Sequence, residues 1–268
     1  TRTELFWQGD PEYWAGRSPV MFPVNVRFRN DSFIYNGIPF EMARLGLAQT
    51  HQFRLIPSDD PASVSLEMTS DQETMKHYPF SFRLLVEYKV EENRLINRFQ
   101  VENRDDEPIF FALGGHPGFN LLSEGDGNDR SQQFVFDREM NIHYHVISNG
   151  LVQDSVKMLL QNESRLSLND SRIPANGSGM LITDMPSREI GIGKQGMPPY
   201  VIVDLGDFSN VNLWSPPGMP YACIEPMISH HDVEGSPLDI TEKDHLINLP
   251  KGESRTFQFT IILNREGL

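Results

Sequence analysis

From residue 80 to residue 90 the chain alternates. Phe80, Phe82, Leu84, Val86, Tyr88 and Val90 take one side, and Ser81, Arg83, Leu85, Glu87 and Lys89 the other. A period of two over this length predicts a half-buried β-strand. The polar turn Glu91-Glu92-Asn93 follows, and residues 94–102 are again extended, so the two read as a long hairpin. Near the C-terminus Phe257, Phe259, Ile261 and Leu263 alternate with Gln258, Thr260 and Asn264. Asn36-Gly37, inside 33–40, is the strongest short hairpin signal, because both residues tolerate positive φ. Further short strands are expected at 20–28, 51–56, 64–69, 109–113, 133–136, 142–147, 180–183, 189–192, 200–204 and 211–214. Helical patterning is scarce, and one short helical turn is expected at 161–168. Many short strands with turn residues between them predict an all-β fold, an antiparallel sandwich or barrel. No repeat, heptad or linker divides the sequence, so residues 1–268 are expected to form a single domain.

Composition supports that reading. The 17 Phe and 7 Tyr favour strands, and the 19 Pro and 20 Gly imply many turns. With 38% hydrophobic and 22% charged residues, the chain can bury a sizeable core and is not a disordered type. A net charge of −14 at pH 7 repels nucleic acid and anionic lipid, so neither is an expected partner. A local arginine cluster would still admit a phosphorylated small molecule. The lone Cys223 cannot form an internal disulfide, which agrees with a cytoplasmic location. No apolar run approaches the roughly 20 residues that span a bilayer, and no secretory pattern opens the chain. The chain begins with Thr1, inside an apparently extended segment, so the natural N-terminus is expected to lie upstream.

Two segments carry candidate chemistry. In Gly114-Gly115-His116-Pro117-Gly118-Phe119-Asn120 a histidine sits on a tight turn after an apolar strand. In Ala222-Cys223-Ile224-Glu225-Pro226-Met227 a glutamate ends an apolar run. A glutamate there is desolvated, which raises its pKa and suits a general base. A histidine and a carboxyl group together can serve as acid and base. The alternatives are a hydrogen-bonded structural histidine and a structural ion pair.

These segments resemble the signatures of the aldose 1-epimerase (galactose mutarotase) family, in its LacX-like branch. The matching residues are His116-Pro117-Gly118-Phe119-Asn120 and Cys223-Ile224-Glu225-Pro226. Leu5-Phe6-Trp7-Gln8-Gly9-Asp10-Pro11, Tyr13-Trp14, Gly16-Arg17-Ser18-Pro19, Phe22-Pro23 and Asn212-Leu213-Trp214-Ser215 also match, in order, so the resemblance covers nearly the whole chain. It implies a large antiparallel β-supersandwich with very little helix. It implies an isomerase that interconverts α and β anomers of an aldohexose. Glu225 would take the C1 hydroxyl proton and His116 would protonate the ring oxygen. The ring opens to the aldehyde, the C1–C2 bond rotates, and the ring closes on its other face. Such paired transfers require neither cofactor nor metal, and none is expected. The partner is a small-molecule sugar, and the protein a monomer or homodimer.

Arg17 and Arg44 are candidate substrate contacts, because guanidinium offers a fixed fork of donors; a surface salt bridge is the alternative for each. Phe119 and Trp214 are candidate apolar walls for a sugar face, with core packing the alternative for Phe119. Asn120 either touches sugar or holds the histidine turn. The LacX-like pattern has histidine where Leu45 stands and arginine where Gln49 stands. That histidine belongs to the substrate site, and leucine neither donates nor accepts a hydrogen bond. Met227 likewise replaces a tryptophan after Glu-Pro, exchanging a rigid wall for a flexible one. These departures keep two rivals open. One is a hexose-6-phosphate mutarotase with a basic pocket around Arg17 and Arg44. The other is a non-catalytic carbohydrate-binding protein. Nearby His51 is expected on a strand surface. His143-x-His145 has metal-capable spacing but lacks a third ligand. His230-His231-Asp232 either borders the Glu225 cleft or forms an exposed turn. The polar loop 123–131 follows the His116 segment and is placed to rim a site.

Overall fold

The alternating stretch becomes the strand Phe82–Glu91, in which Phe82, Leu84 and Val86 are buried and the residues between them are half-buried. It pairs antiparallel with Arg94–Asn103, and Glu92 in the turn has φ 55°. The structure, a computed structural model, describes residues 3–122 and 131–268. The hairpin belongs to a 15-stranded sheet built from antiparallel pairings. Among the described residues, helix is limited to four 3-10 turns of three residues each.

The sheet begins with Val20–Met21, Leu113–Gly115, Tyr221–Ile228 and Asn210–Trp214, and ends with Phe82–Glu91, Ser63–Thr69 and Arg54–Ile56. Its two ends approach each other. Phe22, beside the first strand, has its ring centroid 5.0 Å from that of Phe82. The sheet therefore curls around one large apolar cluster that includes Phe22, Phe82, Phe99, Phe111, Phe134 and Ile224. This is the all-β antiparallel sandwich that the alternation predicts.

Some local expectations require correction. Residues 161–168 are not helical. Residues 161–167 belong to the 17-residue strand Leu151–Ser167, whose Leu159, Leu160 and Leu166 fill the core, and Leu168 opens the turn that follows. Its partner Gln132–Ser148 joins the two segments expected at 133–136 and 142–147, through several register shifts. Residues 154–158 are all exposed, so burial imprints no alternation on them. The stretch 20–28 retains only Val20–Met21 as strand.

Asn36 and Gly37 have φ 50° and 75°, and they join Ser32–Tyr35 to Ile38–Glu41. A Cβ on Gly37 would meet nothing within 4 Å, whereas one on Gly46 (φ 76°) would lie 2.2 Å from the Phe22 carbonyl oxygen. Gly37→Ala therefore costs only the left-handed backbone penalty of about 1 kcal/mol. Gly46→Ala adds a backbone collision. Urea midpoints should rank wild type above Gly37→Ala, and Gly37→Ala above Gly46→Ala.

Candidate active site

The strand Tyr221–Ile228 organises the site. Ala222 and Ile224 join the main core. Tyr221, Cys223, Glu225 and Met227 share the opposite face, because strand side chains alternate. Tyr221 and Cys223 pack with Trp7, Trp14 and Trp214, and Met227 packs with Met21, Ile147, Val152 and Leu181. Glu225 thus lies between an aromatic patch and an aliphatic one.

Backbone register brings its partners to it. On one edge, Asn212 stands opposite Glu225. On the other edge, Gly114 of Leu113–Gly115 stands opposite Met227, and Gly118 of Gly118–Asn120 stands opposite Cys223. These two pairings lie on one continuous antiparallel register. The residue that this register sets opposite Glu225 is His116, at the break between the two short strands. Directly opposed side chains project to the same face. Asn212, Glu225 and His116 therefore form a row across neighbouring strands.

The row is close and dry. His116 Nε2 lies 3.5 Å from Glu225 Oε1. Asn212 Nδ2 donates to the same oxygen at 3.0 Å. Glu225 is 0% exposed and His116 7%. Among the described residues, Glu225 Oε2 and His116 Nδ1 have no hydrogen-bond partner. Burial pushes the Glu225 carboxyl from an ordinary 4.5 up to about 8, against the opposing pull of the Asn212 donor. Burial drives the His116 imidazole down to about 4. Between those values the pair holds one proton, on the carboxyl group. Both groups are then neutral.

A cavity of about 360 Å³ opens onto this row. That is within the roughly 300–1,000 Å³ of small-molecule sites. A larger hollow of about 540 Å³ lies around His51 and His77, but it contains neither member of the pair. Chemistry, not size, selects the smaller one. Val26, Leu45 and Ile147 give it an apolar wall, and Arg44, Gln49, Ser178, Asn212 and His231 a polar one. Val26 and Leu45 have φ 58° and 63°. Positive φ is rare for apolar residues, especially a β-branched one, and such strain concentrates at functional sites. Trp14 packs tilted against His116 at 4.7 Å and 31°, and Trp214 meets the same ring edge-on at 5.6 Å and 87°. Trp214 Nε1 donates to the Gly177 carbonyl, which fixes the ring at the cavity edge.

The other candidate residues separate. Arg44 and Trp214 line the cavity with His116 and Glu225. Arg17 lines a different cavity of about 350 Å³, which His116 also borders but Glu225 does not. Phe119 is fully buried and packs on Phe6. Asn120 Nδ2 donates to the carbonyls of Glu4 and Phe6, so it ties down the N-terminal segment. Leu45 and Gln49 both line the cavity, whereas Met227 is fully buried beneath it and forms no wall. His51 lies in the larger hollow, 3.0 Å from Asp71. His145 contacts Thr183 and His143 is exposed. His231 borders the cavity, while His230 stacks on His245 and Asp232 pairs with Lys243. Residues 123–130 of the polar loop lie outside the described residues. Trp14 and Asn212 join the site without having been expected there. Their signals were the early Trp7-Tyr13-Trp14 cluster and two asparagines, Asn210 and Asn212, alternating with apolar residues in one buried strand.

Comparison with known proteins supplies the family. The sequence pattern defining the aldose 1-epimerase family matches residues 1–141. The chromosomal and plasmid LacX proteins of Lactococcus lactis subsp. lactis are each 30% identical over 234 residues, covering 83% of this chain and 77% of theirs. The chain belongs to the aldose 1-epimerase family. A galactose mutarotase-related enzyme from Lactobacillus acidophilus superimposes with a TM-score of 0.90 at 25% identity, covering 99% of this chain and 89% of its own. A galactose mutarotase-like protein from Lactobacillus casei gives 0.87 at 22% identity over 98% and 90%, a likeness of fold. The LacX-like branch and the galactose mutarotase-like sandwich are thus those of this chain. No helix among the described residues is long and apolar enough to cross a membrane.

The buried carboxyl group links stability to pH. Folded Glu225 keeps its proton up to about 8, while in the unfolded chain it loses it near 4.5. Its raised value therefore stabilises the fold fully below 4.5, and that contribution is lost as pH rises to about 8. Measured against Glu225→Gln, which does not titrate, wild-type urea stability should decline across that window. A constant difference would contradict the assignment.

Proposed function

We propose that this protein is a mutarotase that interconverts the anomers of an aldohexose, with His116 and Glu225 as its proton-transfer pair. The carrying observation is their 3.5 Å approach at a cavity of sugar-binding size. In the resting pair the proton sits on Glu225. Passing it to His116 gives a carboxylate and an imidazolium. Glu225 then takes the C1 hydroxyl proton as the ring C1–O bond breaks, and His116 gives its proton to the ring oxygen. The products are the open aldehyde and the original neutral pair. Rotation about C1–C2 and the reverse transfers close the ring as the other anomer. Atoms and protons balance, and the pair ends as it began. Trp214 and the Val26-Leu45-Ile147 wall suit the sugar's C–H surfaces, and Arg44, Gln49 and His231 its hydroxyls. The buried lone Cys223 suits the reducing cytoplasm, where we expect the reaction to run.

Anomer exchange of glucose and galactose, followed by NMR, tests this reading. Glu225→Gln and His116→Asn should each lose about 10²–10⁴-fold of the acceleration. The wild-type rate should be bell-shaped, with limbs near 4 and 8, because the pair needs one proton and one vacancy. Binding of either sugar without acceleration would favour the non-catalytic carbohydrate-binding reading.

An anionic aldose is the second reading. Among the described residues the Arg44 guanidinium has no ion-pair partner, and it lines the cavity. Arg17 lies elsewhere, so this reading rests on one arginine. Arg44→Ala should raise KM for glucose 6-phosphate about tenfold or more if that anion is the substrate. An unchanged KM for the phosphate would remove this reading.

A further inference from the structure

We propose that Cys223, His116 and Glu225 form a capture site for a thiophilic divalent cation of the zinc class, whose occupancy blocks the proton-transfer pair. The blocking half rests on the mutarotase reading; the binding half does not. The thiol sulfur, an imidazole nitrogen and a carboxyl oxygen lie within 4.8 Å of one another. Cys223 and Glu225 are two residues apart on one face of Tyr221–Ile228, and the register brings His116 across from them. All three are more than nine-tenths buried.

Tetrahedral zinc takes sulfur at about 2.3 Å and nitrogen or oxygen at about 2.0–2.1 Å, so its ligand atoms sit roughly 3.5 Å apart. His116 Nε2 and Glu225 Oε1 already have that separation. Sulfur need approach by only about an ångström, within the reach of a cysteine rotamer adjustment. The donor set of thiolate, imidazole and carboxylate favours zinc over magnesium or calcium, which prefer oxygen alone. Glu225 Oε2 and His116 Nδ1 are buried without partners, so ligation competes with few existing bonds. Only the Asn212 donor on Glu225 Oε1 must be shared or released.

His116 and Glu225 both line the cavity, so a water molecule or sugar hydroxyl can complete the fourth position from that side. On binding, the Cys223 thiol and the Glu225 carboxyl each release a proton to solvent. Metal–sulfur, metal–nitrogen and metal–oxygen bonds replace them. The lone pairs that would move protons on the sugar are then engaged. The ion acts as an inhibitor and not as a cofactor.

Cobalt(II) titrated into the metal-free 268-residue chain reads the site directly. Wild type should bind one cobalt with a near-ultraviolet thiolate-to-cobalt charge-transfer band, and zinc should displace it. The band should vanish in Cys223→Ser and in Cys223→Ala, and zinc affinity should fall about 100-fold or more in both. Circular dichroism of each variant checks folding, and the wild-type band stands without them. Cobalt bound without that band, or bound equally well by the Cys223 variants, would overturn the site. In a second arm, zinc should suppress anomer exchange in wild type at concentrations that leave each folded Cys223 variant at its own zinc-free rate. A filled site with unaffected exchange would overturn the blocking half. A cobalt band in a protein that accelerates no sugar would uphold capture while the mutarotase reading fails.

Discussion

A carboxyl group with no exposed surface faces an imidazole with almost none, and together they hold a single proton. The rest of the site serves that contact. One uninterrupted antiparallel register sets His116 opposite Glu225 from the break between two short strands, and Asn212 opposite it from the other edge. Trp14 and Trp214 pack against the imidazole and keep its surroundings dry. Dryness, more than distance, sets the electrostatics, because it disfavours whichever form is charged.

A second buried carboxyl group nearby responds in the opposite direction, which makes the cause plain. Asp232 is fully buried, and burial acts to raise its pKa. Contacts from His245, Lys243 and the Arg29 backbone outweigh that and hold it below the ordinary range. Lys243 Nζ lies 2.6 Å from it and also reaches the Pro237 carbonyl. Glu225 has no cation in the resting site, only a neutral amide donor and a neutral imidazole. A buried carboxyl group with a cation remains ionised and structural; one without a cation becomes protonated and available for transfer. The two carboxyl groups lie only seven positions apart in sequence, so composition alone could not have separated them.

The all-β architecture was legible because burial imprints a two-residue period wherever a strand has one dry face, as at Phe82, Leu84 and Val86. It was illegible where both faces are wet, as at 154–158, or where two strands are carried through register shifts, as in Gln132–Ser148. His116 and Glu225 stood out locally, each a lone titratable residue among Gly, Pro and apolar neighbours. Their approach depends on pairings between residues more than a hundred positions apart, which no local pattern encodes. The same limit explains Arg17, Phe119 and Asn120. All three have the right chemistry for a sugar contact, yet packing commits them to a second cavity, the core and the N-terminal segment. Trp14 and Asn212 show the converse: their chemistry was unremarked until the fold brought them to the pair.

The shared proton can be observed directly. Carbon-13 at the glutamate carboxyl groups and nitrogen-15 in the histidine rings, assigned with Glu225→Gln and His116→Asn, report each partner through a pH titration. At about pH 6 the shared proton requires a protonated Glu225 and a neutral His116, with transitions near 8 and 4. An ionised carboxylate beside a charged imidazolium at that pH, or two groups titrating at their ordinary values, would contradict it.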